Sequence, residues 1–328
     1  MESDSHPGED WLPSPRIPLD PVVAQLIAAS ATPPGLDDLG PVTGRQALLE
    51  AQGDLIEDCQ VEAAFRVAPV GPSGLVGFWI FRPVGVSEPL PTVFYVHGGR
   101  WMLGDAQTHA RLITELVNGT GAAAVVPEYS RTPESRYPVA LEECYALLNW
   151  AVANAEALRL RPDRLAVAGD CAGATLATAV TMVAKARRGP AVRAQLLYYP
   201  LTDPGCDSES QHRFSDGYLL TRQALRRYWE EYLGGRENWD QPTASPLRAD
   251  PQVLAGLPPA LIVTAEADVT RDEGEAYAAR LRAAGVEASA MRFLGTVHDF
   301  VSLNALRESP PSRAALRHGC TFLRTRLA

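Results

Sequence analysis

The spacing of apolar positions changes along this chain. LDPVVAQLIAAS, from Leu19, repeats apolar residues at helical spacing behind an Asp-Pro start, TPPG stops it, and TGRQALLEAQ from Thr43 predicts a second helix. From about Val61 the period shortens: VEAAFRVAPV and LVGFWIFRPV read as two strands joined by the turn GPSG, a hairpin. PTVFYVHGG is a short apolar strand running into glycines. Apolar strands and helical stretches then alternate: AAAVVPEYS, the helix around ALEECYALLNWAVANA, RLAVAGDC, the helix ATLATAVTMVAKARR and AQLLYYP. PALIVTAEAD, the helix DEGEAYAARLRAAG, the strand EASAMRFL and a final helix from about Ser312 complete the series. Such alternation predicts an α/β protein, its mostly parallel central sheet covered by helices on both faces and its site beyond the carboxyl ends of the strands. GYLLTRQALRRYWEEYLGG, residues 217 to 235, breaks the alternation and reads as a long amphipathic helix, a candidate lid.

Composition narrows the class. With 328 residues, 46% hydrophobic and 21% charged, the chain is long enough to bury a large core. A net charge of −9 without a long basic run argues against nucleic acid as a partner. MESDSHPGEDWLPSPRIP is acidic and proline-rich rather than signal-like, residues 1 to 18 read as a disordered tail, and no apolar run is long enough to span a bilayer. The expectation is a cytoplasmic protein with no membrane association. Five scattered cysteines, Cys59, Cys144, Cys171, Cys206 and Cys320, lack CxxC spacing, and four of them read as small buried apolar residues.

Cys171 differs because of its setting. GDCAG, Gly169 to Gly173, has the G-x-nucleophile-x-G form of a sharp strand-to-helix turn, with the following helix directing free N–H groups at the apex. Taken alone, a buried thiol at a strand end is the plainer reading. Three other segments reverse it. HGGRW, His97 to Trp101, follows a strand and is similar to the HGGG loop that supplies oxyanion-binding amides. TAEAD, Thr264 to Asp268, ends a strand with a carboxylate. GTVHDF, Gly295 to Phe300, puts His298 in a loop after the last strand, where a surface histidine has few structural duties. Asp268 competes with a helix-capping use of the same residue, and Asp272 competes with Asp268 as the acid.

HGGRWMLGD, EYSRTPESRYPVALEE, RPDRLAVAGDCAGA, AQLLYYPLTD, SPLRAD, LPPALIVTAEADVTRDEGEAYAARLRAAGV and GTVHDF together resemble the bacterial hormone-sensitive lipase family of α/β-hydrolases, over nearly the whole length from Leu19. The resemblance implies the α/β-hydrolase fold with a helical cap. Residues 19 to 60 and an insertion at about 205 to 240 would form the cap, and 61 to 328 the catalytic domain. It also implies roles: Cys171 as nucleophile, His298 as base, Asp268 as its orienting acid, and the amides of Gly98, Gly99, Arg100 and Ala172 as oxyanion donors. Trp101, Met102, Tyr199 and Tyr218 would contact substrate. Four residues depart from the family pattern: Cys171 for serine, Arg100 for the third loop glycine, Ala174 for the glycine after the elbow, and Asp299 for the glycine after the histidine.

The expected function is hydrolysis of short to medium acyl esters through a thioester acyl-enzyme. The alternatives are an acyltransferase, cyclase or thioesterase-like tailoring enzyme, a serine-to-cysteine variant of an esterase, and a binding protein of the kind the wider family contains. The last conflicts with retention of His298 and Asp268. His97 reads as bracing its own loop, Asp170 as holding the elbow, and His109, His212 and His318 as surface residues. Tyr218, Tyr228, Trp229 and Tyr232 read as lid packing or pocket lining. Histidine and carboxylate spacing gives no metal site, and no glycine pattern predicts an organic cofactor. The expected partner is a small ester or thioester; the resemblance allows a homodimer, common among such proteins, and leaves the oligomeric state open.

Overall fold

A computed structural model describes residues 17–53 and 60–328, so most of the expected tail, and Cys59, lie outside the described residues. The sheet strands are β1 Val61–Ala68, β2 Val76–Pro83, β3 Leu90–Val96, β4 Ala123–Glu128, β5 Leu160–Asp170, β6 Ala194–Tyr198, β7 Ala260–Ala267 and β8 Ala288–Val297. The helices are α1 Pro21–Ser30, α2 Pro41–Gln52, α3 Ala110–Thr120, α4 Val139–Ala153, α5 Cys171–Ala186, α6 Glu209–Arg213, α7 Arg222–Leu233, α8 Pro251–Leu254, α9 Arg271–Ala283 and α10 Pro310–Leu327.

The eight strands form one sheet in the order β1-β2-β4-β3-β5-β6-β7-β8. β1 and β2 form the expected antiparallel hairpin, β2 meets β4 antiparallel, and every later pairing is parallel. α3 packs on α10 and α4 on α5, while α9 lies against β7 and β8. The continuous apolar runs of β5 and β6 follow from this cover: sandwiched strands have no wet face to reward a polar residue, and β6 and the sheet-core end of β5, from Leu165 on, are buried throughout. Cys144, Cys171, Cys206 and Cys320 are free and buried. No helix among the described residues is long and apolar enough to cross a membrane.

Topology places the site. Chain order reverses at β3, which pairs with both β4 and β5, and a crevice opens beyond strand ends at such a switch. The register sets Val96 opposite Gly169, so the loop after β3 and the turn after β5 lie side by side. Two strands further on, Ala267 faces Val297, which brings the ends of β7 and β8 level.

Two details differ from expectation. The pattern assigns no helix to Ala110–Thr120, yet α3 forms there, with Leu112, Ile113, Leu116 and Val117 turned into the core. The long helix expected over 217 to 235 begins only at Arg222. Gly217 and Leu219 have φ of +82° and +66°, outside the helical region, and the Thr221 hydroxyl caps the helix by accepting from the Ala224 amide at 3.1 Å.

Candidate active site

Cys171 stands at the junction of β5 and α5 with φ of +52°, a left-handed conformation that a residue with a side chain adopts only where its surroundings enforce it. The flanking glycines show what enforces it. A β-carbon at Gly169 would lie 2.5 Å from the carbonyl oxygen of Gly173, and one at Gly173 would collide with the carbonyl oxygens of Val96 and His97. The elbow is thus pressed against the end of β3. The first amides of α5, Ala172 among them, have no acceptor within the helix.

Asp170 joins this elbow to the neighbouring loop. Its Oδ1 accepts from the Tyr95 hydroxyl at 2.5 Å and the Gly98 amide at 3.0 Å, and its Oδ2 lies 3.3 Å from His109 Nε2. The Gly98 amide is therefore committed to Asp170, which removes it from the four donors expected from sequence. Among the described residues no acceptor takes the amides of Gly99 or Arg100. His97 does brace its loop, its Nδ1 lying 2.8 Å from the Gly98 carbonyl. His109 is a correction: it is buried on Asp170, not at the surface. It follows α3 backwards into the core, a helix the sequence pattern missed.

His298 follows the last residue of β8. Its Nδ1 donates to Asp268 Oδ2 at 2.8 Å, and Asp268 also accepts from the Thr270 amide and hydroxyl, each at 2.9 Å. Asp272 is turned elsewhere, held by the Ser210 amide at 2.7 Å and Arg271 Nε at 2.7 Å. The other ring nitrogen, Nε2, is buried without a hydrogen-bond partner. The Cys171 sulfur, a ring nitrogen of His298 and a carboxylate oxygen of Asp299 lie within 4.8 Å of one another. The imidazole is 1% exposed and the cysteine 0%, so the expected surface histidine and its neighbour are both closed off.

Residues 93–302 match the family described as alpha/beta hydrolase fold. The chain belongs to that family. Its alpha/beta hydrolase relatives include a carboxylesterase of Mycobacterium tuberculosis, 33% identical over 88% of this chain and 90% of its own. An esterase of Gibberella moniliformis is 31% identical over 94% of this chain and 98% of its own. Among solved structures, a thermostable esterase from Pseudomonas putida superimposes with a TM-score of 0.91 at 38% identity, covering 95% of this chain and 98% of that one.

Charge in this alpha/beta hydrolase is concentrated around His298. Burial pulls the imidazole pKa down, but Asp268, Asp299 and Cys171 outweigh burial and hold it well above the ordinary histidine value. Below the elbow, burial opposes ionisation of both His109 and Asp170, yet their mutual attraction wins, raising the histidine and lowering the carboxyl. Both shifts favour the charged forms of this buried pair, 3.3 Å apart.

The sequence points to Arg100 as a departure and as a backbone amide donor, and gives its side chain no partner. It is 5% exposed, with Nη2 3.4 Å from Asp299 Oδ2 and Nε 3.5 Å from Asp37 Oδ1. Asp37 also accepts from the Tyr228 hydroxyl of α7 at 3.0 Å. A chain of charges thus runs from the segment between α1 and α2, through the loop after β3, to the histidine loop. Asp37 carried no signal of this, since GLDDLG reads as an ordinary polar turn.

The four expected substrate contacts divide. Tyr199 lies against the His298 ring, centroids 4.9 Å apart, and its hydroxyl bonds Ser302 Oγ at 3.2 Å. Trp101 stacks on Tyr232 of α7 at 4.3 Å, and the Met102 carbonyl accepts from Arg45 of α2 at 2.8 Å. Tyr218 packs edge-on to Phe214 at 5.3 Å. The last three are thereby placed among α2, α6, α7 and the loop after β3.

Proposed function

We propose that this alpha/beta hydrolase is a carboxylic ester hydrolase acting on short to medium acyl esters through Cys171, His298 and Asp268. The observation that carries the reading is the His298 imidazole, anchored by Nδ1 on Asp268 at 2.8 Å, with Nε2 making no hydrogen bond 3.5 Å from Asp299 Oδ1 and a ring nitrogen within 4.8 Å of the sulfur. In the first half-reaction Nε2 takes the Cys171 proton, the sulfur bonds the ester carbonyl carbon, and the amides of Gly99, Arg100 and Ala172 hold the oxyanion. The carbon–oxygen bond to the alcohol breaks as Nε2 returns the proton to the leaving oxygen. Nε2 then deprotonates a water, which attacks the thioester. The carbon–sulfur bond breaks, and the thiol regains its proton. Asp268 keeps the imidazole in the tautomer that leaves Nε2 free.

The segments 19 to 60 and about 205 to 240 act in this proposal as a cap. Arg45, Asp37, Tyr228 and Tyr232 support that reading by gripping the loop that bears Arg100 and Trp101. With the sulfur fully buried, the cap has to shift for substrate to enter. The same burial favours, as a second reading, transfer of the acyl group to an amine, because a dry thioester is more open to amines than to water. Intact-mass analysis after adding an activated short-chain ester tests the nucleophile: an acyl adduct is expected on Cys171 and is lost in Cys171→Ala. No adduct, together with turnover unaffected by iodoacetamide, removes the reading. The ratio of hydrolysis to aminolysis of one thioester separates the two outcomes.

A further inference from the structure

We propose that Cys171, His298 and Asp299 form a binding site for a zinc-type divalent cation, and that the bound ion switches the hydrolase off; the second clause rests on the esterase reading above. The three ligand atoms lie within 4.8 Å of one another. A tetrahedral zinc with sulfur, nitrogen and oxygen ligands sets them about 3.4–3.7 Å apart, so small side-chain rotations close the site. Thiolate, imidazole and carboxylate together form a borderline-soft donor set, which suits zinc and excludes magnesium or calcium.

Two of the three donors are already oriented. The Nδ1–H of His298 bonds Asp268, which leaves Nε2 as the nitrogen that gives up its proton to a metal, the arrangement typical of a histidine on zinc. That Nε2 is buried and makes no hydrogen bond. Asp299 offers Oδ1, 3.5 Å from Nε2, while Arg100 holds its Oδ2 at 3.4 Å and so fixes the carboxylate plane. The surrounding charge favours a cation: Asp268, Asp299 and Asp37 outnumber the single guanidinium of Arg100. Asp299, with 17% of its side chain exposed, is the accessible member, through which a hydrated ion reaches the two buried ones.

Two of the departures from the hormone-sensitive lipase pattern supply these ligands. Serine at 171 would offer no thiolate, and glycine at 299 no carboxylate. Binding releases the Cys171 thiol proton and the Nε2 proton of the imidazolium to solvent and forms the metal–sulfur, metal–nitrogen and metal–oxygen bonds. It commits the sulfur lone pair and Nε2 at once, so neither nucleophile nor base remains. Linear spacing hid the site because position 171 is far in sequence from 298 and 299.

The test uses the full chain, freed of metal with a chelator, and titrates Zn²⁺ against a chromophoric competitor. Parallel samples take Co²⁺ as a spectroscopic probe. One equivalent binds, Co²⁺ gives a thiolate charge-transfer band that Cys171→Ser abolishes, and Asp299→Asn weakens binding about tenfold or more while Asp299→Glu retains it. Circular dichroism establishes that each variant is folded. Absence of saturable binding at one equivalent, or equal affinity in wild type, Cys171→Ser and Asp299→Asn, overturns the site. Ester turnover that persists at saturating Zn²⁺ overturns the switch. One tightly bound Zn²⁺ in a chain that hydrolyses no ester when metal-free would instead sink the esterase reading and leave the site standing.

Discussion

Exchanging Asp299 for asparagine removes one negative charge from beside the working nitrogen of His298 while keeping the side chain's shape. At 3.5 Å, the attraction between Asp299 Oδ1 and an imidazolium at Nε2 is about 1.2 kcal/mol with water-like screening and about 4.7 kcal/mol at an effective dielectric near 20. Arg100, 3.4 Å from the other oxygen, opposes that attraction, and Asp299 is partly open to solvent. The lower end applies, about 1.4 kcal/mol or about one pH unit. The sign follows from the geometry: Asp299 favours the protonated ring, so its loss lets the free base form at lower pH. The acid limb of kcat/KM, which reports the free enzyme, lies above the ordinary histidine range in the wild type and moves down by about one unit in Asp299→Asn. The assay is initial-rate hydrolysis of an uncharged activated ester across the titration range, at constant ionic strength in metal-free buffer. A limb that stays in place or moves up refutes the assignment of Nε2 as the base beside Asp299.

Two further outcomes concern stability. Asp170→Asn leaves His109 buried without its counter-charge and loosens Gly98, and it is expected to cost about 3–5 kcal/mol in urea unfolding near pH 6. The pH is chosen by sign: a lowered carboxyl stabilises above about 3.9, and a raised histidine stabilises below about 6.5, so the pair contributes most between them. A loss under about 1 kcal/mol contradicts the ion pair. Burial pushes the Glu128 carboxyl up to about 7 from its ordinary 4.5, so the folded chain holds a proton there that the unfolded chain releases, and stability falls as pH rises between those values. Glu128→Gln removes about 3 kcal/mol of that penalty at pH 8 and flattens the slope, read from melting temperature against pH; parallel wild-type and variant curves would falsify it.

The fold was legible because its signals are local. Apolar runs such as RLAVAGDC and AQLLYYP have the length and continuity of buried parallel strands, the GPSG turn marks the hairpin, and the glycines of GDCAG are needed wherever a helix end presses on a neighbouring strand. The ordered motifs also brought Cys171, Asp268 and His298 forward as a set. Tertiary contact decided what sequence left open. Asp268 rather than Asp272 meets His298, because β7 and β8 end level while Asp272 is turned toward Ser210 and Arg271. The Gly98 amide turns to Asp170 rather than to substrate. His109 is buried, and Asp37, Arg100 and Asp299 join into one charged chain across three distant segments. Periodicity reports which side of an element faces the core, whereas hydrogen bonds and Coulomb pairs depend on separations of a few ångströms between residues far apart in the chain, and only the folded register of the strands sets those distances.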